Sequence, residues 1–181
     1  MNASRFLYRS RQFWQAISTG PSQGEVESVR SFLTEPQVEL FLRMQNSEQA
    51  HSIQVFNELR NQGQENPDLL TAALLHDVGK TRAPLRVWER VMIVVMRAIC
   101  ADCIHKWGKS KNIEPENGLG WKRAFIIAEQ HPAWGAALAA ECGASPLAVS
   151  LIARHQESIA PDACTREDLL LKELQALDDI N

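Results

Sequence analysis

The stretch LLTAALLHDVGK at Leu69–Lys80 decides the fold of this chain. Its first seven residues leave almost no polar face, so other helices must cover this segment on most sides. Asn66 is a good N-cap residue before it, and Gly79 is typical of a helix end. The sequence therefore predicts a buried central helix that ends at His76 and Asp77.

An imidazole and a carboxylate at the end of an apolar helix need a partner. Burying either group is costly unless something compensates for the lost hydration. A metal ion would use both His76 and Asp77 as ligands. The end of the central helix is therefore the first candidate for a metal site.

Composition limits the function classes. The chain has 181 residues, of which 45% are hydrophobic, enough for one domain with a real core plus an extension. The net charge of −3 argues against a general nucleic-acid binder, which would be basic. We expect neither a membrane span nor a secretory signal, because no apolar run is long enough. Four cysteines form no disulfide framework in a chain of this size, which favours a reducing, cytoplasmic location.

Helical patterns follow one another, and no strand alternation is recognisable. We predict helices over residues 4–17, 24–33, 35–44, 47–62, 67–78, 85–107, 121–130, 132–142, 146–157 and 165–181. Pro132 biases His131 away from helical dihedral angles and so separates two of these helices. The predicted fold is an all-α helical bundle at 46–181 with an N-terminal helical extension at 1–45.

Two predicted helices have apolar faces with more than one interpretation. The helix at 4–17 either docks on the domain or binds a membrane surface or a partner. The helix at 85–107 contains VMIVVM at 91–96 and is either a core helix or a homodimer or membrane-surface contact. Cys100 and Cys103 lie within it, but a structural zinc site usually has four ligands and no second pair is near in sequence. We therefore do not expect zinc there.

Four of the five histidines occupy helix ends or an inward stripe. His51 shares a helical face with Val55 and Leu59, where a lone histidine is more often a core residue than a ligand. His131 lies at a predicted helix junction, and His155 lies near a helix C-terminus. Three such histidines in addition to the His76-Asp77 pair are harder to explain as core residues alone.

The combined candidate ligands are imidazoles and carboxylates without thiolates: His51, His76, Asp77, His131, His155 and Asp178. Such sets suit several divalent metals, and two ions could share Asp77 as a bridge. Asp178 is preferred over Asp179 because it shares a helical face with Leu171 and Leu174. Asp179 instead continues a polar face.

In their order, these residues resemble the HD superfamily of metal-dependent phosphohydrolases. HDVGK at 76–80 is similar to the HDxGK stretch of that family, and HPAWG at 131–135 and RHQE at 154–157 resemble its HDIG and HD-GYP-like branch. The resemblance covers about residues 47–179. It implies that the bundle at 46–181 is an HD domain.

The resemblance also implies roles for the ligands. Four residues would bind one metal: His51, His76, Asp77 and Asp178. In the two-metal branch the aspartate of the His-Asp pair bridges, and His131 and His155 would help to hold the second ion. The implied cofactor is one or two divalent ions of Mn, Fe, Ni, Co, Zn or Mg. The implied reaction is hydrolysis of a nucleotide or another small phosphate ester by a metal-activated water.

Two cations are candidates for binding the substrate phosphate. Lys80 leaves the same turn as Asp77, which is expected to be catalytic, and it either pairs with phosphate or offsets the helix dipole. Arg154 is the weaker candidate, because it diverges by about 100° from His155 on a helix.

The chain departs from the family pattern at Gln156, where HD-GYP proteins have a second histidine, and it has no GYP motif. We therefore do not expect hydrolysis of cyclic di-GMP or a third metal, and the Glu-Asp signature of ppGpp hydrolases is not evident. Two other functions stay open. One is an HD-type di-iron oxygenase that cleaves C–C or C–P bonds, and the other is a non-catalytic nucleotide-binding signalling module.

Overall fold

The structure is a computed structural model, and it describes residues 20–108, 120–160 and 162–178. Its elements are α1 (Gln23–Phe32), α2 (Glu35–Leu42), α3 (Asn46–Asn61), α4 (Pro67–Leu75), a 3-10 turn (Val78–Arg82), α5 (Val87–Gly108), a second 3-10 turn (Gly120–Lys122), α6 (Arg123–Glu141), α7 (Pro146–Arg154) and α8 (Arg166–Asp178). The fold is all-α, which confirms the predicted class. The helix predicted at 4–17 lies outside the described residues.

Helix α4 is the central helix, as predicted. Its six buried residues are Leu69, Leu70, Ala72, Ala73, Leu74 and Leu75. Helices α3, α7 and α8 pack against it. The Asn66 side chain accepts hydrogen bonds from the backbone N–H groups of Asp68 and Leu69, so the helix begins at the predicted cap.

The first two helices share the core of the central helix. Val29 of α1 and Phe41 of α2 lie in the same hydrophobic cluster as Leu59 and Leu74. The domain boundary predicted at residue 45 therefore falls between segments that bury their apolar side chains together.

Helix α5 packs one face against α6 and exposes another. Ile93 and Ile104 are buried with Phe125 in a second hydrophobic cluster, so part of this helix is a core helix as predicted. The exposed apolar residues on α5 are Val87, Trp88, Val91, Val94, Val95 and Ile99. Among the described helices, none has the length and apolar character that crossing a membrane would need.

A disulfide joins Cys100 and Cys103 within α5, where the sequence predicted none. Cys100 has non-helical dihedral angles (φ −156°, ψ 83°). The Cα atoms are 5.4 Å apart, within the range that a disulfide can bridge. Both sulfurs are thus engaged with each other, and neither is a metal ligand here.

Helix α6 runs without interruption through Pro132, so the predicted break at His131 is wrong. Proline lacks the N–H that would bond the carbonyl four residues earlier, which here is Ala128. The His131 Nδ1 atom lies 3.0 Å from that carbonyl oxygen and replaces the missing donor. The side chain of the residue before the proline therefore compensates for its cost.

Gly79 does not end α4 in a left-handed conformation, which corrects its predicted role as a helix stop. Among the described residues, the glycines with positive φ are Gly63 (84°) and Gly143 (75°). Each follows the end of a helix, in agreement with the predicted helix ends at residues 62 and 142. A Cβ atom on Gly79 would lie 1.9 Å from the His131 carbonyl oxygen. Glycine at this position lets the backbone of α6 approach the turn that carries Asp77.

Candidate metal centre

The His-Asp pair follows directly on the central helix. His76 is the C-cap of α4, and Asp77 precedes the 3-10 turn. Their exposed fractions are only 1% for His76 and 5% for Asp77. The imidazole of His76 and the carboxylate of Asp77 are therefore removed from water, so their charge states depend on neighbouring residues.

His76 lies with two residues from other helices in what we call the outer group: His51, His76 and Asp178. The Asp178 Oδ1 atom is 2.7 Å from His51 Nε2 and 3.3 Å from His76 Nε2. One ligand atom from each residue lies within 4.8 Å of the others. His51 and Asp178 are partly exposed, so this group opens toward solvent.

Asp77 lies with the two later histidines in what we call the inner group: Asp77, His131 and His155. Asp77 Oδ1 is 3.4 Å from His131 Nε2, which is 3.2 Å from His155 Nε2. Their ligand atoms also lie within 4.8 Å of one another, and all three residues are buried. The fold thus brings together all six residues expected as ligands.

Asp77 lies between the two groups. Its Oδ1 atom faces His131, while its Oδ2 atom is 3.8 Å from His76 Nε2. Lys80 Nζ donates to the same Oδ2 at 2.6 Å. One oxygen of the Asp77 carboxylate therefore lies toward each group, an arrangement that is compatible with a bridging ligand.

Backbone carbonyls orient three of the imidazole rings. The Nδ1 atoms of His76 and His155 lie 2.9 and 2.8 Å from the carbonyl oxygens of Ala73 and Ile152. His131 Nδ1 approaches two carbonyls of its own helix. Since a carbonyl accepts only from N–H, these contacts place the proton on Nδ1 and leave Nε2 available as a metal ligand.

The inward nitrogen atoms lack good partners among the described residues. His76 Nε2 is buried without a hydrogen bond of acceptable geometry. With Nδ1 protonated, the neutral rings of His131 and His155 would point two lone pairs at each other across 3.2 Å. A cation at this place would satisfy these atoms, so the donor set fits a divalent metal.

The electrostatics of the two groups differ. Burial lowers the pKa of His76, but the carboxylates of Asp178 and Asp77 outweigh burial and raise it to about 9. Burial lowers the pKa of His155 to about 3, and the neighbouring His131 and His76 add to that shift. The outer group therefore attracts positive charge, whereas the inner imidazole of His155 stays neutral.

The Asp77 carboxylate is ionised. Burial alone would raise its pKa, but Lys80 and the nearby histidines hold the pKa well below its usual range. An ionised carboxylate is the protonation state in which aspartate binds a metal.

A cavity of about 850 Å³ opens onto this centre. His51, Asp77, His155 and Asp178 contribute to its lining, so both ligand groups face it. Lys80 and Arg90 line the same cavity and provide positive charge. The site therefore has room for a small organic molecule next to the candidate ligands.

Arg154 lies elsewhere. Its guanidinium pairs with three carboxylates, those of Glu157, Glu167 and Asp168, and it is not among the residues that line the cavity. These contacts connect the end of α7 to the start of α8. Helix α7 thus directs His155 to the centre and Arg154 to the neighbouring helix, so the structure does not bring Arg154 together with the other predicted site residues.

Glu48 and Arg90 are charged residues of the cavity wall that were not predicted as site residues from the sequence. Glu48 is three residues before His51, so a signal was present in the helical spacing of α3. Arg90 gave no such signal, because it lies more than 40 residues away and only the fold brings it to α3.

Comparisons of the chain with protein-family models, with curated proteins and with solved structures gave no match.

Proposed function

We propose that this protein is a metal-dependent phosphohydrolase that acts on a nucleotide or another small phosphate ester. One observation carries the proposal: two groups of imidazole and carboxylate ligands meet at Asp77, on a cavity that also contains Lys80. The resemblance of the sequence to the HD superfamily supports the same activity.

The six candidate ligands would hold one or two divalent ions of Mn, Fe, Ni, Co, Zn or Mg. His51, His76 and Asp178 would serve one ion and His131 and His155 the other, with Asp77 between them. Such ions activate a water molecule as nucleophile and neutralise charge on the phosphoryl oxygens. The protein supplies rings whose orientation is already fixed by backbone carbonyls, so little rearrangement accompanies binding.

Lys80 is the residue that we expect to contact the substrate phosphate. Its ammonium group is now paired with Asp77 Oδ2 at 2.6 Å. A phosphate oxygen that arrives at the centre would share this ammonium group with the carboxylate. Lys80 would thereby orient the phosphoryl group toward the ligands and balance part of its negative charge.

The test is metal analysis followed by an activity panel. Protein purified with and without oxygen would be analysed for bound metals, then assayed on nucleotides and other phosphate esters with Mn, Ni, Co, Fe and Mg. We expect phosphate release that is lost on chelation and restored by a divalent ion. An iron-specific, oxygen-dependent activity without phosphate release would instead indicate a di-iron oxygenase.

A matched pair of variants links activity to the site. Asp77→Asn keeps the shape of the side chain but removes its charge, and it should abolish phosphate release. Asp162→Asn makes the same change at an exposed position and should leave activity unchanged. Nucleotide binding without turnover in the wild type would favour a signalling module and contradict hydrolysis.

The proposal includes a homodimer formed through α5 and a cytoplasmic location. The exposed apolar residues of this helix, including Val91 and Val95, would be covered by a second copy. Light scattering coupled to gel filtration would test this, because a charge introduced by Val91→Glu with Val95→Glu should yield a monomer. A wild-type protein that is monomeric at high concentration would contradict the dimer, and cell fractionation would test the location.

A further inference from the structure

Arg90 is held at the cavity by three acceptors from the start of α3. Its Nη2 atom donates to the Glu48 carboxylate at 2.7 Å and to the side-chain oxygen of Gln45, and its Nη1 atom donates to Ser47 Oγ at 3.2 Å. These contacts join residues more than 40 positions apart in the chain. They fix the guanidinium in one place on the cavity wall.

Glu48 connects this arginine to the metal centre. Its carboxylate has an exposed fraction of 3%, and it lies one helical turn before His51 on α3. Burial raises the pKa of Glu48, Lys80 and Arg90 lower it, and Asp77 raises it. Glu48 therefore lies within electrostatic range of both the bridging carboxylate and the lysine expected to contact phosphate.

The guanidinium of Arg90 has donors left over. An arginine offers five N–H groups in a planar fork. The three hydrogen bonds described above use three of them, so among the described residues two N–H groups of Arg90 have no acceptor. Because Arg90 lines the cavity, these donors are available to an anionic ligand.

Arg123 shows what a purely structural arginine looks like in the same region. It donates to both carboxylate oxygens of Glu89, at 2.7 and 2.8 Å, and to the carbonyl of Pro84. It does not line the cavity. Arg90 differs from it in location, since its buried partner lies on a helix that also carries a candidate metal ligand.

We propose that Arg90 binds phosphate oxygens of the substrate beside the metal centre, and that Glu48 is the positioning residue that holds Arg90 in place. This inference rests on the proposed phosphohydrolase function. It assigns two cations, Lys80 and Arg90, to the anionic part of the substrate. Arginine suits this task because its fork can bind two phosphate oxygens at once.

The test measures kinetics and phosphate binding on the metal-loaded, full-length protein. Arg90→Gln should raise KM, and the dissociation constant for inorganic phosphate, by about tenfold to a hundredfold, because a charged hydrogen bond is lost. Arg90→Lys keeps the charge but not the fork and should fall between Arg90→Gln and the wild type. The matched control is Arg86→Gln, an exposed position four residues earlier, which should leave both constants unchanged.

The role of Glu48 is tested through Arg90. Glu48→Gln keeps an acceptor oxygen but loses the charge, so KM should rise less than in Arg90→Gln. If Glu48 acts only through Arg90, the double variant Glu48→Gln with Arg90→Gln should have the KM of Arg90→Gln alone. Added guanidinium salt at millimolar concentration should partly restore phosphate affinity to Arg90→Ala, which a merely structural arginine would not allow.

Two failures are distinguishable. A wild-type protein that binds metal but neither hydrolyses phosphate esters nor binds phosphate overturns the proposed function and this inference together. A wild-type protein that hydrolyses phosphate esters while Arg90→Gln keeps its KM and phosphate affinity overturns the inference alone. Thermal unfolding of each variant, followed by circular dichroism, would exclude loss of the fold as the cause of any loss of affinity.

Discussion

The outer and inner ligand groups use the same residue types in different surroundings. His51 and Asp178 of the outer group are about one-fifth exposed, whereas Asp77, His131 and His155 of the inner group are buried. The outer group contains one aspartate, Asp178, and its His76 also lies 3.8 Å from Oδ2 of Asp77. The inner group is bounded by imidazoles whose Nδ1 atoms are bonded to their own helices.

This difference indicates how the two sites would fill. The outer group is more accessible to solvent, so it should take an ion first and exchange it faster. The inner group is buried, so its ion should bind later and leave more slowly. Asp77 connects the two, and changes at this residue should therefore be the most damaging.

The largest effect is expected from Asp77→Ala. The change removes the carboxylate that faces both groups, so both ions should be lost and activity should fall by at least about a thousandfold, more than loss of a supporting partner usually causes. His76→Ala should have a similar effect through the outer group. Metal analysis and phosphate release provide the measurement, and full metal occupancy in both variants would contradict the assignment of the site.

Asp178→Ala should abolish activity and weaken the outer ion by about a hundredfold, because a charged ligand is lost. Asp179→Ala is the matched control and should behave like the wild type. Asp179 lies outside the described residues, so its expected neutrality depends on the helical register of Asp178. If Asp179→Ala lost activity and Asp178→Ala did not, the helical register assigned to α8 would be wrong by one residue.

How well the sequence predicted these positions depends on the range of the interactions involved. The apolar run of α4 and the cap at Asn66 are local features, and both were predicted correctly. Asp178 was chosen over its neighbour by helical spacing, in agreement with the family resemblance, and the structure places it beside His51 and His76. These positions could be read from the sequence because a helix has one fixed geometry.

Features that depend on contacts between distant segments were not predictable in the same way. Pro132 is locally unfavourable in a helix, and only the His131 side chain at the Ala128 carbonyl shows why the helix continues. Gly79 has the sequence pattern of a helix stop, but its reason is the close approach of α6. Arg90 reaches Glu48 across the fold, and no spacing in the sequence indicates that contact.

His131→Ala should separate the two groups. It removes a ligand of the inner group only, so the outer ion should stay while the second ion is lost or weakened. We expect about one ion per chain instead of two, with activity reduced by about a hundredfold if both ions are needed. An unchanged metal stoichiometry would mean that His131 is a core histidine and that the site holds one ion.

Proton release should also distinguish the groups. The pKa of about 9 means that His76 is protonated at pH 7 without metal, so an ion bound to Nε2 must displace that proton. Affinity for the outer ion should therefore rise as the pH rises toward 9. His155 of the inner group, with a pKa of about 3, has no proton to lose over this range.

Calorimetry in buffers of different ionisation enthalpy would measure this release. We expect about one proton for the outer ion and fewer for the inner ion. The release should persist in His131→Ala, where the outer group is intact. Equal proton release for both ions would contradict the difference in pKa between His76 and His155.

The smallest effect is expected from Cys100→Ser with Cys103→Ser. Helix α5 contributes no residue to either group of candidate ligands, and the disulfide joins its two sulfurs to each other. The metal content should therefore match the wild type for both ions. The change also removes a crosslink that closes only a three-residue separation, which constrains the unfolded chain very little. Loss of bound zinc in the double variant would show that this pair is a metal site in solution, and the contrast would then extend to a third position on α5.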